Sequence, residues 1–389
     1  MDQLIGVVTQ LAQARNEEDF IDRLNYRFTS YLFAFCSLLI TSKLYLGTPI
    51  KCWTPNEFKD GWVQYTQDYC LIENTYYLPM DDPHMPDNNV REEKELQYYQ
   101  WVTFVLVLQA FFFYLPHSFW RAVNWQSGLQ VRAIVTETTT LGLETEKRDE
   151  ALKKLSGHIH KSISNLGRPT NRSNLFMWTV GHCFGANFAS AMYIITKVLF
   201  LVNIVFQLYI LHVFLGFNAL NFLDLKLGFN TNWKHTGLFP RSTMCDFEIR
   251  TKGNVQRYSV QCVLQLNMFN EKIYLVLYYW LILLFVATIC NLFKWCSDLY
   301  LGANRVDFAR KMLSGAGITK GARGKNSEER SLLFATDSEE QSHYDRFVRM
   351  SPDQVLLYRL ISSNSGDIAT SDVIASVYNH EAQLAVASS

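Results

Sequence analysis

The chain has no net charge: 36 Lys and Arg balance 36 Asp and Glu across 389 residues. Nothing globally basic points to nucleic acid as a partner. Cysteine is sparse, eight in all, and no pair has the C-x₂₋₄-C spacing of a zinc site. A secretory leader is not visible either. Met1-Asp2-Gln3-Leu4 lacks a basic stretch and no apolar run follows, so the N-terminus is expected to stay inside. A phosphate loop is absent: Gly324-Lys325 would need Gly at 319 and Ser or Thr at 326, where the chain has Thr319 and Asn326. His158 and His160 have no matching ligand set and read as exposed helix residues. His182-Cys183 shows no acid partner in the sequence and reads as part of a packed apolar segment. Neither an enzyme nor a metal or cofactor site is expected.

What the chain does have is apolar residues gathered in blocks. Mean hydropathy is −0.03, which would suit a soluble protein, yet aromatics reach 14%, with 27 Phe and 20 Tyr. Such loading suits lipid-facing helices and interfacial belts. A membrane-crossing helix needs about 20 apolar residues, and four segments qualify: 28–46, 98–120, 193–217 and 273–293. Lys43 in the first is read as snorkelling outward or facing water in a pore. Lys197, one turn inside the third, is read as snorkelling. Residues 175–190, apolar but broken by Gly181, Gly185, His182 and Asn187, are read as a buried or interfacial helix leading into the third span. Pro116 inside the second removes a backbone donor and clashes with the carbonyl of Phe112, so a kink is expected.

These spans divide the chain into an N-terminal segment 1–27, loops 47–97, 121–192 and 218–272, and a tail 294–389. Segments 1–27, 121–192 and 294–389 together hold 23 Lys and Arg, against 11 in the other two loops. The excess favours the N-terminus inside. Two loops then carry matched cysteines: Cys52 and Cys70 are 18 positions apart, Cys245 and Cys262 are 17 apart. Paired cysteines in alternate loops point to disulfides, which persist in an oxidising compartment. Four cysteines allow three connectivities. Loops stapled separately make two small knots; loops stapled to each other make one platform. Spacing does not choose between them. The alternating run Tyr258-Ser259-Val260-Gln261 has the pattern of a strand. The lone glycosylation acceptor, Asn171-Arg172-Ser173, falls in the loop placed inside, which leaves the outer face bare of sugar and open to another protein.

Inside, the run 144–154 reads as a solvated helix. Ser351 caps a helix that has Pro352 at its first position, and Ser371 caps another with Asp372 in its first turn.

Tyr98-Tyr99-Gln100-Trp101-Val102, opening the second span, resembles the signature pentapeptide of the innexins, the invertebrate gap-junction proteins. Gly47-Thr48-Pro49-Ile50-Lys51-Cys52-Trp53, Asn74-Thr75-Tyr76-Tyr77-Leu78-Pro79, Phe239-Pro240-Arg241 and Met244-Cys245-Asp246-Phe247-Glu248-Ile249-Arg250 are similar to nematode members. The likeness covers roughly the first 300 residues, and Gln265 departs from it where proline is expected. Two cysteines per outer loop, rather than three, separate the chain from the connexins.

The resemblance implies an all-α membrane protein: four transmembrane helices, a small disulfide-stapled α/β extracellular cap and a helical cytoplasmic domain. It implies bridges Cys52–Cys262 and Cys70–Cys245. It implies a plasma-membrane channel subunit, assembled with itself, or with other innexins, in a ring of about eight that docks with a second ring. Ions and small molecules would pass between cells. The alternatives are an undocked large-pore channel and a pore-less four-span adhesion protein. Residues 1–14 place Leu4, Ile5, Val8, Leu11 and Ala12 on one helical face. The resemblance makes this a helix folded into the pore, with Met1, Asp2, Gln3, Leu4 and Lys43 as pore-lining candidates. The acidic first outer loop would enrich cations at the entrance.

Overall fold

The computed structural model describes residues 18–79, 84–126, 131–140, 145–164, 187–215, 237, 239–318 and 337–388. Residues 1–17, with Met1, Asp2, Gln3 and Leu4, lie outside them, as do the acceptor Asn171, the pair His182-Cys183 and most of 175–190.

Four helices are long and apolar enough to cross a membrane: α1 (Phe20–Leu46), α4 (Tyr98–Gln126), α7 (Phe188–Leu215) and α8 (Gln265–Tyr300). Each contributes residues to both of two compact units. One unit takes 27–114 and 202–286; the other takes the described residues of 1–26, 115–201 and 287–389.

The first unit carries the only strands among the described residues. They are β1 (Ile50–Trp53), β2 (Thr75–Tyr76), β3 (Glu95–Leu96), β4 (Ser242–Thr251) and β5 (Asn254–Leu264). Two short helices accompany them, α2 (Asp60–Glu73) and α3 (Asn88–Glu93). The sheet runs β1-β5-β4-β2-β3 and every pairing is antiparallel. The β4–β5 hairpin turns through Lys252 and Gly253, both with positive φ (48° and 90°), the two-residue turn that matches strand twist. Ile50, Cys70, Tyr99, Phe247, Val260, Cys262 and Leu264 are buried between the sheet, α2 and the head of α4.

Within the same unit α1 packs on α4 through hydroxyls. Ser30 donates to the Ala110 carbonyl (2.9 Å) and Ser37 to that of Thr103 (3.2 Å). Such bonds hold helices together where lipid offers no hydrophobic drive. Phe35, Leu38, Phe104, Leu108, Val205, Tyr209 and Leu283 stay exposed, an apolar surface suited to lipid.

The second unit is helical. It adds α5 (Val131–Thr140), α6 (Thr145–Ser164), α9 (Gly302–Gly315), α10 (Asp337–Phe347) and α11 (Pro352–Ser388). The Ser351 hydroxyl accepts from the Gln354 N–H (3.3 Å) while the Gln354 side chain accepts from the Ser351 N–H (2.8 Å), a reciprocal cap. Three sequence expectations need correction here. The break inside α11 falls at Gly366, with φ 85°, and not at Ser371, which is buried within the helix and bonds to Met312 Sδ. Glycine tolerates that left-handed angle, so it sets the break. The 144–154 run is not wholly solvated. Within it Leu152 packs against the core and Arg148 pairs with Asp372 of α11; just beyond it Leu155 and Ile159 are buried, because the apolar spacing continues past the charges. His160 is half-buried, its Nδ1 3.5 Å from a Glu381 carboxylate oxygen. Burial pushes the Glu381 carboxyl up, and His160 pulls it back.

Candidate functional site

Two constellations, one in each unit, gather the chemistry-bearing residues. In the strand-bearing unit, β1 and β5 align Cys52 opposite Cys262 and the two are bridged. Cys70, near the end of α2, is bridged to Cys245 on β4. Both bonds join residues 47–97 to residues 218–272, so the two loops form one platform.

The pentapeptide at the head of α4 fastens this platform. Gln100 Nε2 donates to the carbonyls of Leu71 (3.0 Å) and Ile72 (2.8 Å) and to Asn74 Oδ1 (3.0 Å). The Tyr99 hydroxyl donates to Leu71 as well (3.3 Å). The last carbonyls of a helix have no partner of their own, and here α4 supplies donors for those of α2. Asn74, with φ 93°, reverses the chain directly afterwards. Tyr98 packs edge-on against Phe239 (5.6 Å), Val102 is buried and Trp101 is exposed. Tyr98, Tyr99 and Gln100 thus hold the two loops to the head of α4, while Trp101 faces outward.

On β4, Asp246 accepts from the Tyr76 hydroxyl (3.1 Å) and pairs with Arg91 (2.9 Å). Burial, then the Asp246 carboxylate, pushes the Tyr76 phenol up to about 12.

Lys43 is exposed, with Nζ 5.1 Å from the centre of the Phe269 ring. Cation–π contact at that range holds an exposed ammonium. Pro116 lies within α4, which continues through it to Gln126. At Gln265, where proline was expected, β5 passes directly into α8. The Gln265 N–H donates to the Pro49 carbonyl (3.1 Å), a bond proline cannot make.

The helical unit holds the second constellation, where the chain enters α1. Lys197 does not snorkel: it is 2% exposed. Its Nζ lies 2.8 Å and 2.9 Å from the two Asp22 carboxylate oxygens. It also sits over the rings of Tyr193 (4.7 Å) and Trp295 (5.3 Å). α7 begins at Phe188, so Lys197 lies well inside the helix, and the Asp22 carboxylate beside it supplies the partner that water would otherwise provide. The Tyr193 hydroxyl donates to Asp22 (2.7 Å). Asp19 receives Asn291 (2.6 Å) and Trp295 (3.1 Å), and its other oxygen caps α1 through the Phe20 N–H (2.7 Å). Burial raises the Asp19 carboxyl, but Lys197 and the two side-chain donors outweigh it and hold the group below its usual 3.8. Glu18 is paired with His117 (2.8 Å), which stacks on Tyr26. Three acids in five residues therefore tie the start of α1 to α4, α7 and α8. A π-turn at Leu24–Phe28 follows and frees Asn25 to donate to Ile21 and Thr288.

Sequence reasoning missed this cluster. The signal was present: one buried-span lysine, and acids directly before an apolar run.

A family model described as Innexin matches residues 18–381. Innexin unc-9 of Caenorhabditis elegans is 35% identical over 376 residues, covering 94% of this chain and 92% of that protein. Innexin eat-5 of the same organism is 32% identical over 384 residues, 97% and 90% of the two chains. Innexin-3 of C. elegans is 34% identical over 371 residues, 93% and 83%.

Proposed function

This chain belongs to the innexin family and is a gap-junction channel protein of the plasma membrane, not an enzyme, and from that premise we propose how its parts serve the junction. The subunits stand in a ring of about eight around a shared pore, since heterologous contacts close into rings. Residues 1–27, 121–192 and 294–389 lie in the cytoplasm, and loops 47–97 and 218–272 lie outside the cell. The single observation that carries this reading is the pair of bridges joining those loops. Disulfides are kept in oxidising surroundings, and two loops locked into one sheet present a fixed outer face. That face meets its counterpart on an adjacent cell, and ions and small molecules pass between the cytoplasms.

Residues 1–17, with Asp2 and Gln3 foremost, line the cytoplasmic mouth of the pore together with Met1 and Leu4. Their position is set where α1 is tied down by Glu18, Asp19 and Asp22. Lys43 adds a positive charge near the outer end of the conduit, and Pro116 bends α4.

Paired cells expressing the chain test the docking step. Transfer of current or of a small dye between the two cells is expected. Abundant protein at the surface with no transfer would overturn it, and currents in single cells without transfer would identify an undocked pore instead.

A further inference from the structure

The two bridges of the outer sheet are neighbours as well as staples. The Sγ atoms of Cys52, Cys70 and Cys262 all lie within 4.8 Å of one another, although Cys52 and Cys262 belong to one bridge and Cys70 to the other. The fold produces this closeness. Cys262 lies opposite Cys52 on β1 and opposite Thr243 on β4. Cys245 is two residues along β4 from Thr243, on the same face of the sheet. The end of α2 lies over that face and brings Cys70 within reach of β4 and β5 alike. The four sulfurs differ in access: Cys70, Cys245 and Cys262 are buried, and Cys52 is half-buried.

We propose that these four cysteines form a thiol–disulfide exchange site for small external thiols, with Cys52 as the entry sulfur and Cys262 as the relay. Exchange requires a thiolate to reach a disulfide sulfur, and its course depends on which sulfur is accessible and which leaves. An external thiolate attacks Cys52 Sγ. The Cys52–Cys262 bond breaks, the thiol becomes attached to Cys52, and the electron pair stays on Cys262 as a thiolate. Cys262 Sγ then attacks Cys70 Sγ. The Cys70–Cys245 bond breaks, a Cys70–Cys262 bond forms, and Cys245 leaves as a thiolate that takes a proton from water. One thiol enters, one is released, and two disulfides stand before and after, so no oxidant or reductant is consumed. The mechanical result is specific. β1 loses its covalent tie to β5, while α2 stays tethered to the sheet, moved from β4 to β5. This chemistry concerns the cap alone and holds whether or not two rings dock.

The test uses the wild-type full-length protein, folded in detergent, with reduced glutathione as the thiol. The reaction is quenched by acid and alkylation, and the linked peptides are mapped by mass spectrometry. Expected is a product with glutathione on Cys52, a Cys70–Cys262 linkage and an alkylated Cys245. Glutathione on Cys52 with an alkylated Cys262 and an intact Cys70–Cys245 bridge would overturn the relay. Glutathione appearing first on Cys70, Cys245 or Cys262, or no adduct at all, would overturn the entry site.

Discussion

Lys197 Nζ and Asp22 Oδ1 are 2.8 Å apart with both side chains buried, and the Tyr193 hydroxyl donates to the same carboxylate. The pair joins α7 to the first turn of α1. Removing one member leaves a buried charge alone, which costs roughly 3–5 kcal/mol. Lys197→Met is therefore expected to lower the thermal stability of the detergent-solubilised protein sharply. Asp22→Asn combined with Lys197→Met is expected to recover much of that loss. A melting series over the two single variants and the double variant checks this; equal loss in single and double variants would refute the pairing.

Gln100 is the donor that the end of α2 depends on. Gln100→Leu keeps the volume and removes three hydrogen bonds. It leaves the Leu71 and Ile72 carbonyls with fewer donors, a loss of about 1–3 kcal/mol. Protease sensitivity of residues 60–74 at the surface of intact cells is expected to rise, with the rest of the chain unaffected.

Tyr76 carries a pH signature. Its folded-state phenol is raised to about 12 from 10.0, so the group favours the folded state fully below pH 10. That contribution is lost as pH rises through the folded value. Tyr76→Phe is expected to flatten the fall in cap stability between these limits. Unfolding curves of the two proteins at several alkaline pH values would show it, and parallel falls would contradict it.

Gly47 ends α1 where a side chain has no room. A Cβ there would stand 2.7 Å from the Lys43 carbonyl oxygen, and backbone gives way reluctantly. Gly47→Ala is expected to shift the entry to β1 and slow formation of the Cys52–Cys262 bridge, read as a larger free-thiol fraction on alkylation of newly made protein.

The membrane helices were legible because lipid imposes one simple rule, a run of apolar residues, and the sequence obeys it four times. The ends were less legible. α8 begins at Gln265, eight residues before the apolar run at Ile273, because Asn267, Asn270 and Glu271 are buried against the cap. Asn267 donates to the Pro240 carbonyl, and Glu271 pairs with Arg241 and Lys272. β5 showed its alternation at 258–261. β2 and β3 are two residues each, too short for any period, and exist because longer strands flank them. Spacing left three cysteine pairings open; the one present follows from the β1–β5 and β4–β5 registers, which no local pattern encodes. Lys197 was misread for a related reason. Taken alone, a lysine near a span end reaches for water, and only the fold brings Asp22 beside it.

Strand β5 ends at Leu264 and α8 starts at Gln265 with no intervening loop. The joint is pinned from the side as well, by the Gln265 N–H on the Pro49 carbonyl and the Leu264 N–H on that of Arg241. A linker would absorb torsion at this point, and there is none. Any axial twist at the head of α8 is thus handed straight to β5, the strand that lies between β1 and β4. Helix and strand therefore form one stiff lever, so that a turn of the helix head would show as tilt of β5.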